Sequence, residues 1–362
     1  MPALRIYAGP LARQHIARDG LQADAIGAVP AAAGGPKGLI LGPLDRFLFG
    51  DWLPRSDHAI HLVGASIGAW RMATACLRDP VQAFERLERD YIAQDYDLPP
   101  GRKTPTAAHV SQRFSEGLEA FYGGRVREVL EHPRFRLHIV TARGRHVLGR
   151  EHRIATPLGY LGAFLSNTLH RKAMGAWLER VVFSARESGD PCALPFDPRD
   201  FPTRQVALDE ANFHPALQAS CSIPFVLQAV HDIPGAPRGA YWDGGITDYH
   251  LHLQYRCGPG PGLVLYPHFQ KAVVPGWLDK GLPWRHRATP FLDRMIVLAP
   301  DPEWVRGLPN GKLPDRKDFA HYANDLQGRI RAWTTAAAAS RQLADEFAAW
   351  LERPDLQRVE AL

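Results

Sequence analysis

Short apolar runs alternate along this chain with stretches whose apolar residues recur every three or four positions. The runs predict strands at 4–8 (LRIYA), 24–30, the segment leading into Gly64, 135–141 (FRLHIVT), 181–185 (VVFSA), 262–266 and 295–299. The periodic stretches predict helices from Pro10 to Gly20, from Leu39 to near Gly50, from Ile67 to Leu77, through Tyr91 behind the cap Asp79-Pro80, and over 105–122. A further helical stretch is expected inside 159–185. Residues 96–104 and the Pro- and Asp-rich 187–204 read as loops, and 216–230 is apolar with small residues. From Asp318 the chain turns helical, and Leu326, Ile330, Trp333, Ala337, Leu343 and Phe347 mark one face. That face predicts a cover for a sheet rather than a helix lying on a membrane. Strands alternating with helices imply an α/β fold with a largely parallel central sheet flanked by helices.

Composition narrows the class. The 362 residues are 45% hydrophobic and 22% charged, enough for one large α/β domain or two ordinary ones. No 18-residue apolar run marks a transmembrane helix, and the N-terminus lacks the apolar core of a signal peptide. The net charge is +5, but Lys and Arg are dispersed, which argues against nucleic acid and is compatible with weak attraction to anionic lipid surfaces. Cys76, Cys192, Cys221 and Cys257 are scattered and form neither a disulfide framework nor a metal-ligand set, so a cytoplasmic location is expected.

The chemistry concentrates at Gly64-Ala65-Ser66-Ile67-Gly68, a G-x-S-x-G pentapeptide between a strand and a helix. In such an elbow the serine hydroxyl stands clear of the sheet, and the helix N-terminus offers positive charge to an oxyanion. One βαβ unit earlier lies Gly34-Gly35-Pro36-Lys37-Gly38, a turn whose amides face the same sheet edge. It is neither a P-loop, because Leu39 follows Gly38, nor a Rossmann fingerprint, because position 33 is alanine. The base for Ser66 is open at this point. His250, His252, His268 and His286 come late enough for a hydrolase triad, but none sits in a motif, and Asp243-Gly244-Gly245 offers a carboxylate at a strand end.

These pieces, in this order, resemble the patatin-like phospholipases. Gly34 to Gly38 is similar to the family's G-G-G-x-[KR]-G oxyanion loop, with Ala33 in place of the first glycine. Gly64 to Gly68 is similar to its nucleophile elbow, Ala219-Ser220-Cys221-Ser222-Ile223-Pro224 to its A-S-x-x-x-P segment, and Asp243-Gly244-Gly245 to its D-G-[AG] motif. The resemblance implies a three-layer α/β/α fold, with residues 1–300 as the catalytic domain, motifs within 24–250, and 301–362 as a helical extension packed on it. It implies a Ser66–Asp243 dyad without histidine, an oxyanion hole from Gly34, Gly35, Lys37 and Gly38, no cofactor or metal, and a lipid acyl ester as substrate. The alternatives are an esterase or thioesterase using a late histidine, and a silent lipid-binding protein of the same fold.

Overall fold

The seven apolar runs become strands, and four short segments join them, giving eleven strands of one sheet among the described residues: β1 (Leu4–Ala8), β2 (Ile26–Ala31), β3 (Ile60–Ala65), β4 (Phe135–Gly144), β5 (Leu178–Ser184), β6 (Thr203–Ala207), β7 (Val230–His231), β8 (Ala240–Asp243), β9 (Leu263–Pro267), β10 (Met295–Pro300) and β11 (Val359–Ala361). The computed structural model describes residues 1–96, 105–258 and 262–362. Of the loop expected at 96–104, all but Tyr96 lies outside the described residues. The strands pair in the order β11-β1-β10-β9-β2-β3-β4-β8-β7, with β5 also on β4 and β6 on β5. The centre, β10-β9-β2-β3-β4, is parallel. Antiparallel pairs flank it: β1 on β10, and β5 and β8 on β4. β2 is buried at every position and β3 at all but His61, as a sheet with helices on both faces requires.

One strand acts as the ruler for the rest. β4 pairs through 135–140 with β3, ending at Ala65↔Val140. The next residue, Thr141, pairs with Asp243 of β8. Thr141 also pairs with Val181 of β5, so β5 holds the opposite edge and β3 and β8 share one. The end of β3 and the end of β8 therefore meet on neighbouring rungs of β4.

The loop expected at 187–204 carries more structure than its composition implied. Within 187–204, Arg186–Glu187 and Asp190–Pro191 form a small hairpin, and β6 already begins at Thr203. The buried guanidinium of Arg180 pins this stretch by pairing with Asp200 at 2.8 Å and with Asp248 at 2.6 Å. Within 216–230, the helix Phe213–Cys221 starts early and stops before Pro224, whose ring disfavours helical geometry in the preceding residue. The turn at 34–38 runs on as a 3₁₀ helix, Gly35–Leu41. The C-terminal helices Leu326–Ala339 and Arg341–Glu352 bury Trp333, Phe347 and Trp350, and Phe347 meets Trp52 edge-to-face at 5.8 Å. Their apolar face is spent on the core, after which β11 pairs with β1.

Candidate active site

Ser66 occupies the sharp bend between β3 and the helix Ile67–Ala75, at φ 57°, a left-handed value for a residue with a side chain. The flanking glycines permit the bend. A Cβ at Gly64 would lie 2.4 Å from Ala69 Cα, and one at Gly68 would lie 1.9 Å from the Ala31 carbonyl oxygen. The elbow backbone is also tied down, because the Ser66 N–H donates to Ser220 Oγ at 2.9 Å and that hydroxyl donates to the Val140 carbonyl at 2.7 Å. Ser220 thus explains the serine of the A-S-x-x-x-P segment as a strut beneath the bend, a role its sequence pattern did not disclose.

The β4 ruler brings Ser66 and Asp243 together across 177 residues, and Ser66 Oγ donates to Asp243 Oδ2 at 2.6 Å. The other carboxylate oxygen accepts the Gly245 N–H at 2.7 Å, and the Asp243 N–H donates to the Ser222 carbonyl at 2.8 Å. The pair is enclosed. Ser66 is only 3% exposed and Asp243 5%, so the hydroxyl expected to stand clear of the sheet is covered. Burial pushes the Asp243 carboxyl up from its ordinary range, while the Ser66 hydroxyl, Arg316, the Gly245 N–H and Lys280 pull the other way. Cys221 lies beside the pair, and its thiol is raised by burial and by the Asp243 charge.

The glycine turn supplies donors. Among the described residues, the amides of Gly34 and Gly35 find no acceptor, and neither does that of Ile67, the residue after the serine. Gly38 sits inside the 3₁₀ helix with its Cα turned toward Ile67 and Arg71. Lys37 lays its ammonium 4.9 Å from the Phe269 ring centre. Ala33 has its N–H on the Tyr249 carbonyl at 2.9 Å and is not among the residues of positive φ, so alanine fits its backbone.

A cavity of about 210 Å³ opens against Asp243 between Gly34, Ile223 and Trp277. Four cations line it, Lys37, Lys280, Arg316 and Lys317, with the carboxylate of Asp315 among them. Lys280 stacks on Tyr249 at 3.9 Å and is brought down to about 8 by burial and by the charges of Arg316 and Lys37. Burial likewise lowers Lys37. Lys280 and Arg316 come from the part of the chain without motifs, so no sequence signal pointed to them.

The late histidines lie elsewhere in the bonding pattern. His250 sits between Ala272 and Val274, His252 bonds the Val273 carbonyl and Thr289, His268 bonds the Gln270 carbonyl, and His286 bonds the Asp279 carbonyl. Among the described residues none bonds Ser66 or Asp243. Among the described residues one trio offers metal-ligand atoms, His61, His138 and Cys192. It lies at the start of β3, away from Ser66, and a 2.9 Å ring-to-ring hydrogen bond joins its histidines. Burial lowers His61 first, and the neighbouring Arg136 charge adds to it, which disfavours a cation there.

The family model described as patatin-like phospholipase matches residues 33–250, well over half of the chain. The chain belongs to this family. No curated protein sequence matches it. Among solved structures it is similar to human GIVD cytosolic phospholipase A2 at 14% identity and TM-score 0.43, covering 96% of this chain and 62% of that one. VipD from Legionella pneumophila is similar at 13% identity and TM-score 0.38, with 95% and 70% covered. The chain thus spans less than two thirds of the human phospholipase's length. Among the described residues no helix is long and apolar enough to cross a membrane.

Proposed function

We propose that this protein hydrolyses acyl esters of lipids, phospholipids foremost, through an acyl-enzyme on Ser66. The reading rests first on the 2.6 Å hydrogen bond from Ser66 Oγ to Asp243 Oδ2, made with no histidine between them. Asp243 accepts the hydroxyl proton as Oγ attacks the ester carbonyl. The Gly34 and Gly35 amides, with that of Ile67, receive the oxyanion, and the leaving alcohol takes the proton back from Asp243. Water, deprotonated by the same carboxylate, then releases the fatty acid. Lys37, Lys280, Arg316 and Lys317 outnumber the carboxylates of Asp243 and Asp315 on the cavity wall, which suits a substrate with an anionic head group. The reading takes residues 1–300 as the catalytic domain and 301–362 as its cover, working in the reducing cytoplasm, with all four cysteines free. Ala33, in place of the loop's first glycine, does not favour the silent-protein alternative, because the backbone accommodates its methyl without positive φ.

The direct test is a fluorophosphonate probe followed by peptide mass spectrometry, together with fatty-acid release from phospholipid vesicles. The adduct is expected on Ser66, and an unlabelled protein that releases no fatty acid would overturn the reading. The oxyanion assignment has its own test. Lys37→Ala is expected to retain measurable turnover, because the amides remain. Gly35→Val forces a β-branched residue to φ +56° against Arg316, 3.2 Å from the new Cβ, and is expected to lose about 10²–10³ in kcat by displacing the donors. The opposite ranking in steady-state kinetics would give the oxyanion to the lysine.

A further inference from the structure

The helix Ala155–Leu169 is apolar on two sides. Its inner side, with Gly159, Tyr160 and Ala163, packs on the core that contains Trp242. Its outer side repeats at helical spacing through Leu158, Leu161, Leu165 and Leu169, of which Leu158 is 62% and Leu169 85% exposed. From 154 to 169 there is no charged residue. A helix hydrophobic all round is ordinarily buried, and this one is not. The patch continues beyond it. Phe225, 63% exposed, is held outward at φ +69° with its ring 6.1 Å from Tyr160, and Trp284 is 61% exposed. Trp284 is seated at the helix end because its neighbour Arg285 bonds the Asn167 and Thr168 carbonyls.

We propose that this face docks the protein on an anionic lipid bilayer and delivers substrate to the cavity; the inference rests on the acyl-hydrolase reading. Three observations choose a lipid surface as the occupant. First, the rim is basic: Arg150 and Arg153 precede the helix and Lys172 follows it, all exposed, while Glu151 is turned to the Ala229 amide at 3.0 Å. An apolar face between basic ends fits the boundary between acyl chains and anionic head groups. A second copy on a twofold axis would instead set like-charged rims together. Second, the face is continuous with both walls of the cavity. Phe225 lies two residues from Ile223 on one wall, and Asn167 bonds Asp279 at 2.8 Å beside Trp277 and Lys280 on the other. Third, Tyr160 on the same helix packs against Trp242, the neighbour of Asp243, with ring centres 6.1 Å apart. The docking helix is therefore seated on the strand that carries Asp243.

The test is co-sedimentation of the intact protein with vesicles of ether-linked phosphatidylcholine, with and without ether-linked phosphatidylglycerol. Ether lipids offer no ester, so binding is read apart from hydrolysis. The protein is expected to bind the anionic vesicles more tightly than the neutral ones, and less so at high salt. L161E/L165E is expected to weaken binding by at least ~10-fold, with turnover of a water-soluble short-chain ester unchanged. Leu169→Glu, at the helix end, repeats the test should the double variant melt at a lower temperature. Parent protein that ignores both vesicles, or variants that bind as the parent does, would overturn the proposal. So would a parent dimer that L161E/L165E dissociates, since a second copy would then cover the face. Absence of turnover on the soluble ester would remove the acyl-hydrolase reading and leave the vesicle result to decide docking by itself.

Discussion

Ser66→Ala is expected to lower lipid-ester turnover by about 10⁴-fold or more, to the level of the remaining binding groups. It is also expected to abolish fluorophosphonate labelling. The methyl keeps the bend, since Gly64 and Gly68 rather than the serine side chain allow it. What changes is the carboxylate. Asp243 Oδ2 loses its 2.6 Å donor inside a buried site, and an acceptor left unpaired there costs about 1–3 kcal/mol. Because that hydroxyl helps hold the Asp243 carboxyl down, its removal should raise the carboxyl further. Thermal melting across acidic pH would register both effects. Turnover persisting in pure Ser66→Ala protein would remove the nucleophile assignment.

Asp243→Asn separates a dyad from a triad. The carboxylate accepts two bonds, from Ser66 Oγ and from the Gly245 N–H. An amide has one oxygen. If that oxygen stays on Gly245, its NH₂ faces Ser66 and must donate, so the hydroxyl loses its proton acceptor while the shape is kept. Turnover is expected to fall by roughly 10²–10⁴. His250→Gln, His252→Gln, His268→Gln and His286→Gln should each leave the dyad intact. The pH profile supplies a second readout. Turnover needs Asp243 ionised, so it rises with pH through a midpoint above the usual carboxylate value of about 3.9, because burial raises this group. With an anionic lipid, KM should then climb as pH passes about 8, where Lys280 loses its charge, while a neutral ester shows no such limb. Should a histidine variant silence the enzyme while Asp243→Asn stays mild, a Ser–His hydrolase replaces the dyad.

The parts legible in the sequence were those whose chemistry is local. A serine between two glycines at a strand-to-helix junction, and an aspartate before two more, announce bends that other residues would block. The parallel centre of the sheet was equally plain, since strands alternate with helices along the chain. What the sequence withheld depends on contacts across the fold. Ser220 is an ordinary small residue until its hydroxyl is found between Ser66 and Val140. Lys280 and Arg316 lie in a stretch with no motif and reach the cavity only because the later chain folds back over it. The apolar periodicity of 318–350 and of 155–169 looks alike in the sequence. One is spent on Trp52 and the sheet, and the other faces outward, a difference that no single-chain pattern encodes.

The β4 ruler has a consequence for which changes the protein can absorb. The spacing of Ser66 and Asp243 is written in consecutive backbone rungs, Val140 and Thr141, rather than in any side chain of that strand. A saturation scan should therefore draw a map that does not simply fade with distance from the serine. Same-sized replacements at Val140 would pass. Adding one methyl at Gly244, whose Cβ would fall 2.0 Å from the Val140 carbonyl oxygen, would pry the two rungs apart and silence an otherwise complete set of reacting groups.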